Sequence, residues 1–268
     1  MKKICPIFLV FFLPYFLKAQ NIDTTSANNK QAEPLKAVSK LQHGCTLVNN
    51  GAMLKSLIIP AVFIGYGFAG LNNKEVKKIN TDTKSELQED HPKFLTKIDN
   101  YLQYSPVVAV YALNALGIKG KNNFRDRTMI YAISTVISSA TVLSLKKITK
   151  EERPDGSGNN SFPSGHTTTA FAAAEFLRME YKDVSPWYGI AGYITATATG
   201  VLRLYNNKHW VNDIVAGAGF GILSTKLAYW IYPCIKRKFF KDKPLNTMVM
   251  PYYQSGSAGL SLVHNFRQ

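Results

Sequence analysis

Residues 211–233 read VNDIVAGAGFGILSTKLAYWIYP. Apolar side chains run through the whole stretch with no strand alternation, and Gly217 and Gly221 stand one helical turn apart. The stretch is near the length that crosses a bilayer at ~1.5 Å of rise per residue. Five similar stretches precede it, at residues 53–70, 101–118, 128–145, 166–180 and 187–204. Their small residues suit close helix contacts. The chain therefore reads as all-α: a bundle of about six apolar, membrane-spanning helices. The polar content of the stretches (Ser134, Thr135, Ser138, Glu175, Lys226) keeps a soluble bundle open as the alternative.

The flanks divide the chain. Lys2 and Lys3, the apolar run from Ile4 to Leu17 and then Ala19 have the layout of a signal peptide, residues 1–19. Residues 20–51 are a polar arm, and residues 52–233 the helical domain. Residues 74–100 are charged and periodic, and fit either an amphipathic segment at the membrane surface or a solvated connecting helix. Residues 234–268 hold a basic cluster, Lys236 to Lys243, then a strand–turn–strand pattern that reads as a short β-hairpin.

Composition narrows the function. The 268 residues carry 32 Lys and Arg against 17 Asp and Glu, a formal charge of +15. With 46% hydrophobic residues the chain is not disordered, and three cysteines cannot staple this length. Cys45 and Cys234 are expected to be free thiols. The charge calls for an anionic partner such as a phosphorylated substrate, an acidic lipid surface or nucleic acid. No nucleic-acid-binding module is recognisable, so that partner is discounted.

Gly65-Tyr66-Gly67-Phe68-Ala69-Gly70 matches the dinucleotide pattern G-x-G-x-x-G. No βαβ unit surrounds it, so close helix packing explains these glycines better than a cofactor, and none is expected.

Three clusters carry chemistry. Lys146 closes an apolar helix, with Arg153 and Pro154 beyond it. In Ser161-Phe162-Pro163-Ser164-Gly165-His166, Ser164 can cap a helix whose free N–H groups bind phosphate, with Gly165 allowing close approach and His166 on the first turn. In the third, Arg203 precedes His209 and Asp213, which share a face if both are helical. Three cations, two histidines and one carboxylate suit phosphoryl transfer. They do not suit a metal site, because the cations would repel a divalent ion.

Lys146-x6-Arg153-Pro154, Pro163-Ser164-Gly165-His166 and Arg203-x5-His209-x3-Asp213 together resemble the type 2 phosphatidic acid phosphatase family. Its superfamily includes bacterial acid phosphatases and vanadium haloperoxidases. The resemblance covers roughly residues 52–233. It implies that His209 attacks phosphorus to form a phosphohistidine, that Asp213 orients it, and that His166 protonates the leaving oxygen and then activates water. It also implies that Lys146, Arg153 and Arg203, with N–H groups near Ser164 and Gly165, hold the phosphate oxygens without a metal. Leu202 stands where the family usually has Ser, which implies altered phosphate binding.

The expected function is a metal-independent phosphatase acting on a lipid phosphate monoester or pyrophosphate. The alternative is an exported acid phosphatase for soluble phosphomonoesters; a vanadate-dependent peroxidase and a dead anion-binding protein rank lower. A cleaved signal and six spans put the catalytic loops in the cytoplasm, whereas the basic tail puts them outside. The expectation is an inner-membrane protein with its site facing the periplasm, or else a membrane-associated periplasmic one.

Overall fold

The computed structural model describes residues 50–239, 247–254 and 257–264. The signal-peptide reading and nearly all of the polar arm fall outside them. The described chain forms α1 (Asn50–Asn72), α2 (Lys74–Asp90), α3 (Asp99–Leu102), α4 (Ser105–Ala115), α5 (Phe124–Thr149), α6 (Gly165–Tyr181), α7 (Pro186–Tyr205) and α8 (Val211–Phe239). Thr247–Gln254 (β1) and Ser257–His264 (β2) pair antiparallel.

α6 is the central helix, packed against α4, α5, α7 and α8, and α1 lies along α8. Phe176 and Tyr181 of α6, Ile130 of α5 and Val110 of α4 are buried together. Glycines set the spacing of α8 on α6. A Cβ on Gly221 would lie 2.4 Å from the Thr168 carbonyl oxygen, and one on Gly217 would lie 2.8 Å from that of Ser164. Two of the dinucleotide-like glycines have the same explanation: a Cβ on Gly67 would strike Ala216, and one on Gly70 would strike Asn212, each at 2.4 Å, whereas one on Gly65 would meet nothing within 4 Å.

The charges within the bundle are paired, as burial demands. Glu175 of α6 accepts from Arg178 at 2.6 Å and from Tyr193 of α7 at 2.5 Å, with Lys226 of α8 at 2.8 Å. Asp126 of α5 is held by Tyr232 and Lys236 of α8.

Among the described residues, three helical segments are long and apolar enough to cross a membrane: Leu54–Asn72, Phe124–Thr149 and Val211–Lys238. The six apolar stretches thus differ in kind: α4 is short, and α6 carries Glu175, Arg178 and Glu180. Leu54, Ile58, Ile59 and Val62 stand exposed along α1, and Val136 and Leu143 along α5.

Cys234 is disulfide-bonded, which overturns the free-thiol expectation for it. Sequence does not encode the short Cα separation on which pairing depends. Cys5 and Cys45 lie outside the described residues.

Candidate active site

Each motif sits where a helix ends or begins, and the fold gathers all three at one end of the bundle. Lys146 lies in the last turn of α5, and Lys150 ends that helix in the left-handed region at φ 47°. The Lys146 ammonium donates to the carbonyls of Asn160 and Ser161. In the loop that follows, Arg153 donates through Nε to Asn160 Oδ1 at 2.7 Å.

Ser164 caps α6, its Oγ accepting from the Thr167 N–H. The backbone N–H of Ser164 is already committed, donating to the Asp213 carbonyl at 3.0 Å. That N–H is therefore engaged within the protein. The first-turn N–H groups of Gly165 and His166 remain, and helix geometry leaves both without intrahelical acceptors. His166 Nε2 meets Asn100 Oδ1 of α3 at 2.8 Å.

His209 and Asp213 do come together, but not on one helical face. His209 lies in the loop between α7 and α8, and Asp213 in the first turn of α8. Their Nδ1 and Oδ2 atoms are 3.5 Å apart. Asp213 Oδ2 accepts from the Trp210 N–H at 3.0 Å and from Ser161 Oγ at 2.5 Å. Ser161 Oγ is also 3.3 Å from His209 Nδ1. With Nδ1 turned to these partners, Nε2 is the free nitrogen of His209. Burial pushes the imidazole down to about 4; Asp213 pulls the other way, and Lys146 and Arg203 add to the lowering. His209 is thus neutral near pH 7.

Arg203 sits in the last turn of α7 and is largely buried. Its Nη1 donates to Asp99 Oδ2 at 2.6 Å. Its Nε has no hydrogen-bond partner. The charges of Lys146, Arg153, Arg203 and Asp99 all act on His166.

Two loops are stitched together around this centre. Trp210 Nε1 donates to the Glu152 carbonyl at 2.8 Å, and Lys208 pairs with Asp155. α2 lies against the start of α8, where the buried Asn80 and Asn212 exchange hydrogen bonds.

The motifs did not reveal Ser161 as a partner of the histidine pair, although it lies just ahead of the second motif. Asp99 and Asn100 also escaped notice. They sit far from every motif in sequence, and nothing local marks them. Among the described residues no group of three or more His, Cys, Asp or Glu side chains could hold a metal ion.

Residues 127–237 match the model of the PAP2 superfamily, in keeping with the resemblance that the three motifs carry. Lipid A 1-phosphatase of Porphyromonas gingivalis is 41% identical over 145 residues, which is 54% of this chain and 33% of that protein. The bacitracin transport permease protein BcrC of Bacillus licheniformis is 33% identical over 75 residues, 28% of this chain and 35% of its own length. The chain thus spans about a third of the length of the curated relatives it matches. Among solved structures, a transmembrane PAP2-type phosphatidylglycerolphosphate phosphatase from Bacillus subtilis aligns with 68% of this chain and 98% of its own, at 18% identity and a TM-score of 0.46.

Proposed function

We propose that this protein is a membrane phosphatase that cleaves a lipid phosphate monoester or pyrophosphate through a phosphohistidine on His209. The observation that carries the reading is the site itself. A buried neutral His209 faces Ser161 and Asp213 through Nδ1, beside three cations and a second histidine.

In the proposed reaction Lys146, Arg153 and Arg203 take the phosphate oxygens, with the N–H groups of Gly165 and His166. His209 Nε2 attacks phosphorus, and the bond from phosphorus to the leaving oxygen breaks. His166 gives its proton to that oxygen. The imidazole then takes a proton from water, the resulting hydroxide attacks phosphorus, and the P–N bond breaks to release phosphate and His209. Asp213 favours the charged intermediate. The positive charge comes from side chains, so the reaction needs no metal.

The exposed apolar faces of α1 and α5 support an embedded enzyme with a lipid substrate over a soluble one. Similarity to lipid A 1-phosphatase makes lipid A the first substrate to try. Lys236, Arg237 and Lys238 end α8 at the opposite end from the site. By the positive-inside rule a basic end favours the cytoplasm, which supports a site facing the periplasm.

The test is phosphate release by the purified full chain in detergent. The panel is lipid A, phosphatidate, isoprenyl pyrophosphate and p-nitrophenyl phosphate, each with EDTA and with His209→Ala. EDTA-resistant release from a lipid that disappears in the variant supports the reading. Release from p-nitrophenyl phosphate alone favours the soluble-substrate alternative, and undiminished release by His209→Ala overturns the mechanism.

A further inference from the structure

The segment between α2 and α4 lies outside the superfamily match and outside all three motifs, yet it touches two motif residues directly. Asp99 is fully buried and receives Arg203 Nη1 at 2.6 Å. The next residue, Asn100, stands exposed, with Oδ1 2.8 Å from His166 Nε2. A few residues earlier, the Thr96 backbone exchanges two hydrogen bonds of 2.9 Å with the buried Asn206 side chain. These contacts anchor α3 to the end of α7 and to the start of α6.

We propose that α3 is a fourth segment of the active site, with Asp99 positioning Arg203 and Asn100 positioning His166. The inference rests on the phosphatase reading and extends it. A guanidinium presents five donors in a fixed fork. Asp99 engages Nη1 and leaves Nε without a partner, so the carboxylate fixes the fork while its other edge stays free for phosphate. Asn100 acts on the imidazole in the same way. Its amide oxygen accepts the Nε2–H in both charge states, so the proton that the imidazolium gives up, and that the neutral ring later takes back, is the one on Nδ1. The amide carries no charge of its own into an environment already shaped by Asp99, Lys146, Arg153 and Arg203.

The two roles predict different kinetic signatures. Asp99 acts through a binding residue, so Asp99→Asn should weaken inorganic phosphate binding about tenfold or more, read by calorimetry on the full chain in detergent. Asn100 acts through the acid–base residue, so Asn100→Ala should lower kcat about tenfold with KM within about twofold. Asn100→Asp places a carboxylate beside the ring, favours the imidazolium, and should move the His166 limb of the pH–rate profile to higher pH. A role in folding alone would not move that limb. Asn100 is exposed, so its variants keep the test alive if Asp99→Asn fails to fold. An active wild type whose Asn100 variants keep its kcat and its pH profile overturns the proposal and spares the phosphatase reading. A wild type that neither binds nor releases phosphate overturns both.

Discussion

Ser161 Oγ stands 2.5 Å from Asp213 Oδ2 and 3.3 Å from His209 Nδ1, beside the direct 3.5 Å approach of those two atoms. The pair that motif spacing presents as His–Asp is therefore a cluster of three side chains, all buried. Removing the hydroxyl takes away one member of the cluster and leaves the other two facing each other. Ser161→Ala should lower kcat about tenfold with little change in KM, in keeping with loss of one orienting hydrogen bond. Wild-type turnover in that variant would make the hydroxyl a bystander.

His209 links pH to stability. Its imidazole is held near 4 in the folded protein, against an ordinary value of 6.5. Between those values the unfolded chain binds a proton that the folded chain refuses, so stability falls as pH drops from 6.5 toward 4. The thermal midpoint of the wild type should decline across that window. His209→Gln, which does not titrate, should show a flatter profile between the same limits.

The glycines of α8 and α1 are not equivalent. A methyl on Gly221 would meet backbone atoms of Thr168 and Ala172 at 2.4 and 2.8 Å, whereas one on Gly65 would meet nothing within 4 Å. Gly221→Ala should cost about 1–3 kcal/mol by forcing α6 and α8 apart. Gly65→Ala should be neutral or stabilise by up to about 1 kcal/mol, since it only removes helical glycine. Thermal unfolding of the two variants in detergent compares them directly.

Asn80 and Asn212 dock α2 onto the start of α8. Asn80→Ala would strand the Asn212 side-chain oxygen and backbone N–H in a buried setting. The expected loss is about 1–3 kcal/mol, measured as a lower denaturation midpoint. Because Asn212 adjoins Asp213, the variant should also lose activity in proportion to its loosened helix start. A stable variant with full activity would show that α2 is only an appendage.

Much of the site is legible in the sequence because PAP2 chemistry is written in short local patterns. Lys146, His166, Arg203 and Asp213 each sit in the first or last turn of a helix, and Arg153 and His209 in the loops beside those turns, at breaks that apolar periodicity and capping residues announce. The reading of the glycine pattern at residues 65–70 as packing holds for Gly67 and Gly70 and not for Gly65. What escaped depends on tertiary contact. Asp99 and Arg203 are separated by 104 residues and Ser161 and Asp213 by 52, so no local rule links them. The shared helical face of His209 and Asp213 failed for a local reason, because α8 begins only at Val211. The hydrogen bond from the Ser164 N–H to the Asp213 carbonyl is illegible for the same reason, because the two residues belong to different motifs.

That last hydrogen bond has a consequence for how such a protein diversifies. The Ser164 N–H on the Asp213 carbonyl, with glycine-spaced α6 and α8 behind it, welds the Asp213 helix start and the His166 helix start into one anvil. On the proposed mechanism, changes there disturb both chemical steps at once. The elements laid over the anvil, α2, α3 and the loop from Glu151 to Asn160, are fastened mainly by side chains. Selection, or a protein engineer, can exchange those fastenings piece by piece, retuning which molecule is admitted while the machinery underneath stays intact.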